Sequence, residues 1–91
     1  MPKLLWGLAI GPAAADFIEG MQPGKTRKLV VKRIRALQGD PHPAGHVKLA
    51  GTKNGDEDVW RVRQGDYRIL YVIRENEVVV TDVDHRKDVY R

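Results

Sequence analysis

The stretch from Trp60 to Arg74, WRVRQGDYRILYVIR, constrains this chain more than any other. β-Branched and aromatic residues alternate with polar ones on both sides of Gly65-Asp66, which predicts a hairpin closed by a two-residue turn. That turn sets the register: Gln64 faces Tyr67, Arg63 faces Arg68, Val62 faces Ile69, Arg61 faces Leu70 and Trp60 faces Tyr71. Side chains alternate at period two, so Trp60, Val62, Ile69 and Tyr71 share one face and Arg61, Arg63, Arg68 and Leu70 the other. Like charges directly opposed on neighbouring strands repel, so folding gains nothing from Arg63 across from Arg68. A negatively charged ligand relieves that conflict.

The flanking sequence supplies elements to cover the apolar face. Leu4, Trp6, Leu8 and Ile10 alternate and predict a strand, with Leu5 and Ala9 making it largely buried on both faces. Gly11-Pro12 ends it, and proline suits the first turn of a helix over Ala13 to Met21, with Ala13, Phe17, Ile18 and Met21 as its stripe. A second helix is expected from Lys25 to Gln38, burying Val30, Ile34 and Leu37 with Leu29 beside them. Residues 40–58 read as a loop interrupted by a short apolar-bearing piece, Val47 to Ala50. His42 and His46 in that loop have a tempting metal spacing, but Pro43 and Gly45 argue against the helix that would place both on one face. No metal or cofactor is expected.

After the hairpin comes Val78 to Asp84, whose pairing is open from sequence. A two-residue Glu75-Asn76 loop places Asp82 on the core face, whereas a three-residue loop reaching Glu77 places Val79, Thr81 and Val83 there and sets Asp84 across from Arg68. The longer loop is the expectation. The whole is then a single α+β domain over residues 1–91: a small, mixed, mainly antiparallel sheet in the order βααβββ, with two N-terminal helices packed on one face.

The net charge of +4 is unevenly spread. Residues 1–50 carry eight Lys/Arg against three acids, and residues 51–91 eight against nine. Lys25, Lys28, Lys32 and Arg35 fall on the solvent side of the second helix, and with Lys48 they are the candidate RNA-binding positions beyond the hairpin; a solvated helical face is the plainer reading. Without cysteine there is no disulfide framework, and the apolar run Leu4 to Ile10 is too short to span a membrane, so a cytoplasmic protein is expected.

Three local patterns, VKLAG at Val47 to Gly51, WRVRQGDYRILY at Trp60 to Tyr71 and DHRKDVYR at Asp84 to Arg91, together with the element order, resemble the RelE/ParE superfamily of toxins from toxin–antitoxin pairs, more closely its RelE branch. The resemblance covers essentially the whole chain and is weakest over the helices. It implies a ribosome-dependent, metal-free endoribonuclease that cuts messenger RNA in the A site and so inhibits translation. Its implied partners are the ribosome with its 16S rRNA, messenger RNA, and a cognate antitoxin that holds it inactive in a hetero-oligomer. The alternative is a ParE-like toxin that binds and inhibits DNA gyrase without chemistry of its own.

By resemblance the site residues are Arg61, Arg63, Arg68, Arg86 and Tyr90. The best-known relatives carry lysine where Arg61 and Arg63 stand. Arginine keeps its proton in a protein and cannot serve as general base. His85, whose imidazole can both accept and give a proton and which stands where several relatives carry histidine, is therefore the expected base. Plainer readings stand beside these: Tyr90 as a cap on the core, His85 as a turn residue, and Arg68 in a surface ion pair with Asp84 or Asp66 worth less than about 1 kcal/mol.

Overall fold

Gly65 takes a φ of 59°, the left-handed value that the first central position of a type II′ hairpin turn requires and that glycine adopts without steric cost. The computed structural model describes residues 5–85. In chain order these form β1 (Gly7–Ile10), α1 (Pro12–Gly20), α2 (Lys25–Ala36), β2 (Val47–Asn54), β3 (Glu57–Gln64), β4 (Tyr67–Arg74) and β5 (Glu77–His85). The five strands make one sheet in the order β1-β5-β4-β3-β2, antiparallel except for the parallel pair β1 and β5.

The β3–β4 register is the expected one at every position from Trp60↔Tyr71 to Gln64↔Tyr67. Its apolar parity builds the core. Val62, Ile69 and Tyr71 are fully buried and cluster with Ala14 of α1, with Val30 and Ile34 of α2 and with Leu37 at its C-terminal end, so both helices cover this face alone. Each large apolar side chain withdrawn from water in this way contributes about 1.5–3 kcal/mol. The stripe expected on the second helix is the buried one, while Leu29 beside it stays exposed.

Four expectations are corrected. First, the segment read as loop contains a full strand, β2, so four strands follow the helices rather than three. Its turn to β3 is Gly55-Asp56, with Gly55 at φ 61°, a second copy of the Gly-Asp device ten residues before the first. The strand was hard to see because it is an edge strand, almost wholly exposed and broken in register between Lys48 and Lys53 around Gly51 (φ 75°). Second, the opening strand is only Gly7–Ile10 and is not buried on both faces: as the opposite edge it leaves Ile10 exposed, and Leu5 ahead of it is exposed too.

Third, Ala14 rather than Ala13 is the buried alanine of α1. Fourth, the β4–β5 loop is the two-residue one, with Arg74 paired to Glu77 and Asn76 at φ 60°. Val78 and Val80 therefore lie on the core face and Val79 on the other. Asp82 still escapes burial, because Thr81 is an extra residue in β5: Tyr71 pairs with Val80 and Leu70 with Asp82. Such a bulge switches the parity of everything after it. Val83 returns to the core and Asp84 lands opposite Arg68 as expected, for a reason the expectation did not contain.

Tyr71 is the largest fully buried side chain, and its hydroxyl donates to the Pro41 carbonyl at 2.8 Å, tying the connection after α2 to the middle of the sheet. Burial, the largest cause, pushes its pKa up to about 12. A folded pKa above the ordinary 10.0 means that the folded state holds this proton more tightly, so the stabilisation is complete below about pH 10 and is lost as pH rises towards about 12. Tyr71→Phe should lower stability by about 1 kcal/mol at neutral pH in urea denaturation. It should also flatten the alkaline fall in stability between those two pH values; an unchanged alkaline profile would show that Tyr71 does not supply it.

Candidate phosphate-binding face

On the face the helices leave uncovered, the pairings lay the side chains out in rows across β3, β4 and β5. The row Val72 and Val79, with Val59 as its neighbour on β3, is apolar; Val59 and Val72 are buried although they belong to the side away from the helices. Next comes Arg61, Leu70 and Asp82, and then Arg63, Arg68 and Asp84. The face thus passes from valine to charge along the strands, and from cation on β3 to anion on β5 across them.

Arg68 sits between the two signs. Its Nε and one terminal nitrogen donate to the two carboxylate oxygens of Asp84 at 3.2 and 3.3 Å, and each side chain is 27% exposed. A two-point pair fixes the plane of the guanidinium. Arg63 opposite it is exposed and has no ion pair among the described residues. Arg61 is half-buried on the same face. Arg74, at the valine end, is committed to Glu57 at 2.9 and 3.0 Å, and this pair holds the glutamate's pKa below its ordinary value.

The arrangement suits an anion with several oxygens. Three guanidiniums on adjacent positions of two strands offer paired N–H donors, and one of them is oriented before any ligand arrives. No metal-holding group of three or more His, Cys, Asp or Glu occurs among the described residues.

Of the other expected site residues, Arg86 and Tyr90 lie outside the described residues. His85 is not brought to the arginines. It pairs with Tyr67, two positions from Ile69 on the core parity, and its ring meets the Tyr67 ring edge-on at 4.9 Å. Once the Thr81 bulge sets Asp84 towards Arg68, the next residue must point the other way. There His85 lines a cleft of about 740 Å³ with Phe17, Met21, Lys25, Thr26 and Tyr67, under the α1–α2 turn.

Lys28, Lys32 and Arg35 line a shallow groove on α2, on the helix side of the sheet, and Lys25 borders the cleft. Lys48 pairs across with Trp60 and, with Lys53, engages Asp58, whose pKa these lysines hold below its ordinary value. The expected RNA-binding lysines are therefore on the opposite side from Arg61, Arg63 and Arg68. Asp82 joins Asp84 on the arginine face, and its parity depends on the bulge.

Known proteins match this architecture. The chain resembles the archaeal RelE–RelB complex of Pyrococcus horikoshii OT3 with a TM-score of 0.73 and 22% identity, over 91% of this chain and 97% of that one. For the Mycobacterium tuberculosis RelBE2 toxin–antitoxin complex the values are 0.75 and 24%, over 93% and 95%, and for the Methanococcus jannaschii RelB–RelE complex 0.68 and 22%, over 90% and 94%. At these identities the likeness is one of fold. No curated protein matches the chain. The sequence profile of the family described as "ParE toxin of type II toxin-antitoxin system, parDE" matches residues 12–90, nearly the whole chain, and this protein accordingly belongs to that toxin family, within the RelE/ParE superfamily.

Proposed function

We propose that this toxin acts on RNA, cleaving messenger RNA on the ribosome through the arginine face. The observation that carries the reading is the opposition of Arg63 and Arg68 beside Arg61, on the side of the sheet that the helices do not cover. A folding domain has no use for that opposition, and a phosphate group has.

Cleavage of this kind uses the 2′-hydroxyl as nucleophile on the adjacent phosphorus. The P–O5′ bond breaks as the new P–O2′ bond forms, the 2′ proton passes to a base, and a proton is delivered to the departing 5′-oxygen. Between these steps the phosphorane carries extra negative charge. Arg61, Arg63 and Arg68 neutralise it, and preorganised donors at a developing oxyanion contribute on the order of 3 kcal/mol each. Arg68 does most, because Asp84 fixes its plane beforehand. Arg86 joins the cations and Tyr90 supplies a hydroxyl for proton delivery, as the sequence resemblance implies. His85 takes no part at the phosphate, and a base from the ribosome–RNA complex completes the reaction.

The chain functions in complex with a cognate antitoxin, as the RelE proteins of the neighbouring structures do with RelB. The face bearing Leu70 and Val79 beside arginines suits an acidic, partly apolar segment, while Val72 between them is already fully buried. Val80, which the longer β4–β5 loop would have set on this surface, lies in the core. A second reading, gyrase inhibition without chemistry, is favoured by one observation, the match to the ParE profile.

Toeprinting on ribosome-bound messenger RNA separates the two. Specific cleavage supports the nuclease, whereas intact RNA with accumulating gyrase–DNA breaks supports the inhibitor. In single-turnover cleavage Arg68→Ala should lower the rate by roughly 10²-fold or more with ribosome binding only modestly weakened, while His85→Ala should cleave at close to the parental rate with an unaltered pH profile. A large His85→Ala defect at normal ribosome affinity would return the histidine to the mechanism.

The opposition itself is testable. Arg63→Gln should raise folding stability by about 0.2–1 kcal/mol. The same change should weaken binding to a short single-stranded RNA and reduce the slope of log affinity against log salt by about 0.7, one phosphate contact. A loss of stability on this replacement would mean that the two arginines are not in conflict.

A further inference from the structure

On the helix side of the sheet, the connection between α2 and β2 brings together two imidazoles that its prolines and glycine were expected to keep apart. The chain turns sharply there. Asp40 accepts the His42 backbone N–H at 2.9 Å, the His46 backbone N–H donates to the Pro43 carbonyl at 3.1 Å, and the Tyr71 hydroxyl holds the Pro41 carbonyl from below. The turn does the work expected of a helix: His42 Nδ1 and His46 Nε2 stand 3.3 Å apart.

The second imidazole is oriented. Its Nδ1 lies 2.8 Å from the Pro43 carbonyl oxygen, and since a carbonyl only accepts, Nδ1 carries the hydrogen and Nε2 presents its lone pair. This is the arrangement that orients metal-binding histidines in general, with one ring nitrogen on a backbone carbonyl and the other towards the ion. The ring also lies stacked on Trp60, centroids 4.8 Å apart at 26°, and His42 meets the same indole edge-on at 5.4 Å. Two Zn–N bonds of about 2.0–2.1 Å at the tetrahedral angle hold their nitrogens about 3.3–3.4 Å apart. The observed separation is already that of a chelated pair.

We propose that His42 and His46 form a two-imidazole site for a late first-row divalent cation, Zn²⁺, Ni²⁺ or Cu²⁺, with water filling the remaining positions. Without the ion the two nitrogens share the hydrogen of His42 Nδ1. Binding needs only that His42 carry its hydrogen on Nε2 instead and that its exposed ring turn so that both lone pairs converge. Neutral imidazole nitrogen selects these ions over Mg²⁺ and Ca²⁺, which take oxygen ligands. The site belongs to a different surface from the arginines, and His46 immediately precedes β2, so a bound ion ties the start of the exposed edge strand to His42 in the connection after α2, with the His46 ring already stacked on Trp60 of β3.

The test is calorimetric titration of the full chain with Zn²⁺, Ni²⁺ and Mg²⁺ at pH 7.5, with Cu²⁺ quenching of tryptophan fluorescence as the second readout. Expected are one saturable equivalent for Zn²⁺ and Ni²⁺, no heat with Mg²⁺, and quenching of the Trp60 share of the emission, with Trp6→Phe isolating that share. His42→Ala and His46→Ala should each weaken binding by roughly tenfold or more, and His85→Ala should leave it unchanged. Because His42 is exposed, His42→Ala is the variant that keeps the fold, which circular dichroism verifies. Absence of saturable binding, or an affinity unaltered in both His42→Ala and His46→Ala, would overturn the site and leave the pair as a hydrogen bond alone.

Discussion

A single left-handed backbone conformation at Gly65 governs this molecule. Because a two-residue turn admits one register, that φ decides which residues of β3 and β4 share a face, and parity then assigns valine, isoleucine and tyrosine to the helices and arginine to the other side. Shifting the register by one residue would send Arg61 and Arg63 under α2 and Val62 into water. The core itself enforces the turn: Val62, Ile69 and Tyr71 are completely buried only in this register.

The charged face repeats a pattern seen wherever function and folding compete. Its apolar row is quiet, its cations repel, and a carboxylate from the third strand is spent holding one of them in place. Asp84 reduces the net charge of the arginine row, yet it holds the Arg68 guanidinium in one plane and one direction. Orientation is gained at the expense of attraction, which favours discrimination between geometries over sheer affinity.

Hairpin, helices and core stripe were legible in the sequence because each rests on local periodicity: Val30, Ile34 and Leu37 at helical spacing, Val62 and Ile69 about a Gly-Asp turn. The β2 strand was obscured because an edge strand buries little and its side chains carry no alternation, although Gly55-Asp56 repeats the very signal read at Gly65-Asp66. His85 was misplaced for a different reason. The expectation rested on resemblance and on the chemistry of imidazole, neither of which carries strand parity: adjacent residues in a strand point to opposite faces, so with Asp84 towards Arg68 the next residue turns away. The His42–His46 contact was dismissed on the assumption that only a helix brings positions four apart together, and a proline turn does so as well.

The bulge at Thr81 also divides the sheet mechanically. β1 pairs with β5 only as far as Val80, where the Gly11 N–H closes the contact, so the valine end is five strands wide and the far half of β5 loses its β1 neighbour just as the extra residue adds twist. In terms of local opening, amides from Val78 to Val80 lie deep in a paired ladder, whereas those from Asp82 to His85 have, among the described residues, a strand on one side alone. Protection from hydrogen exchange therefore declines along one continuous strand, towards the end at which Asp84 faces Arg68 of β4.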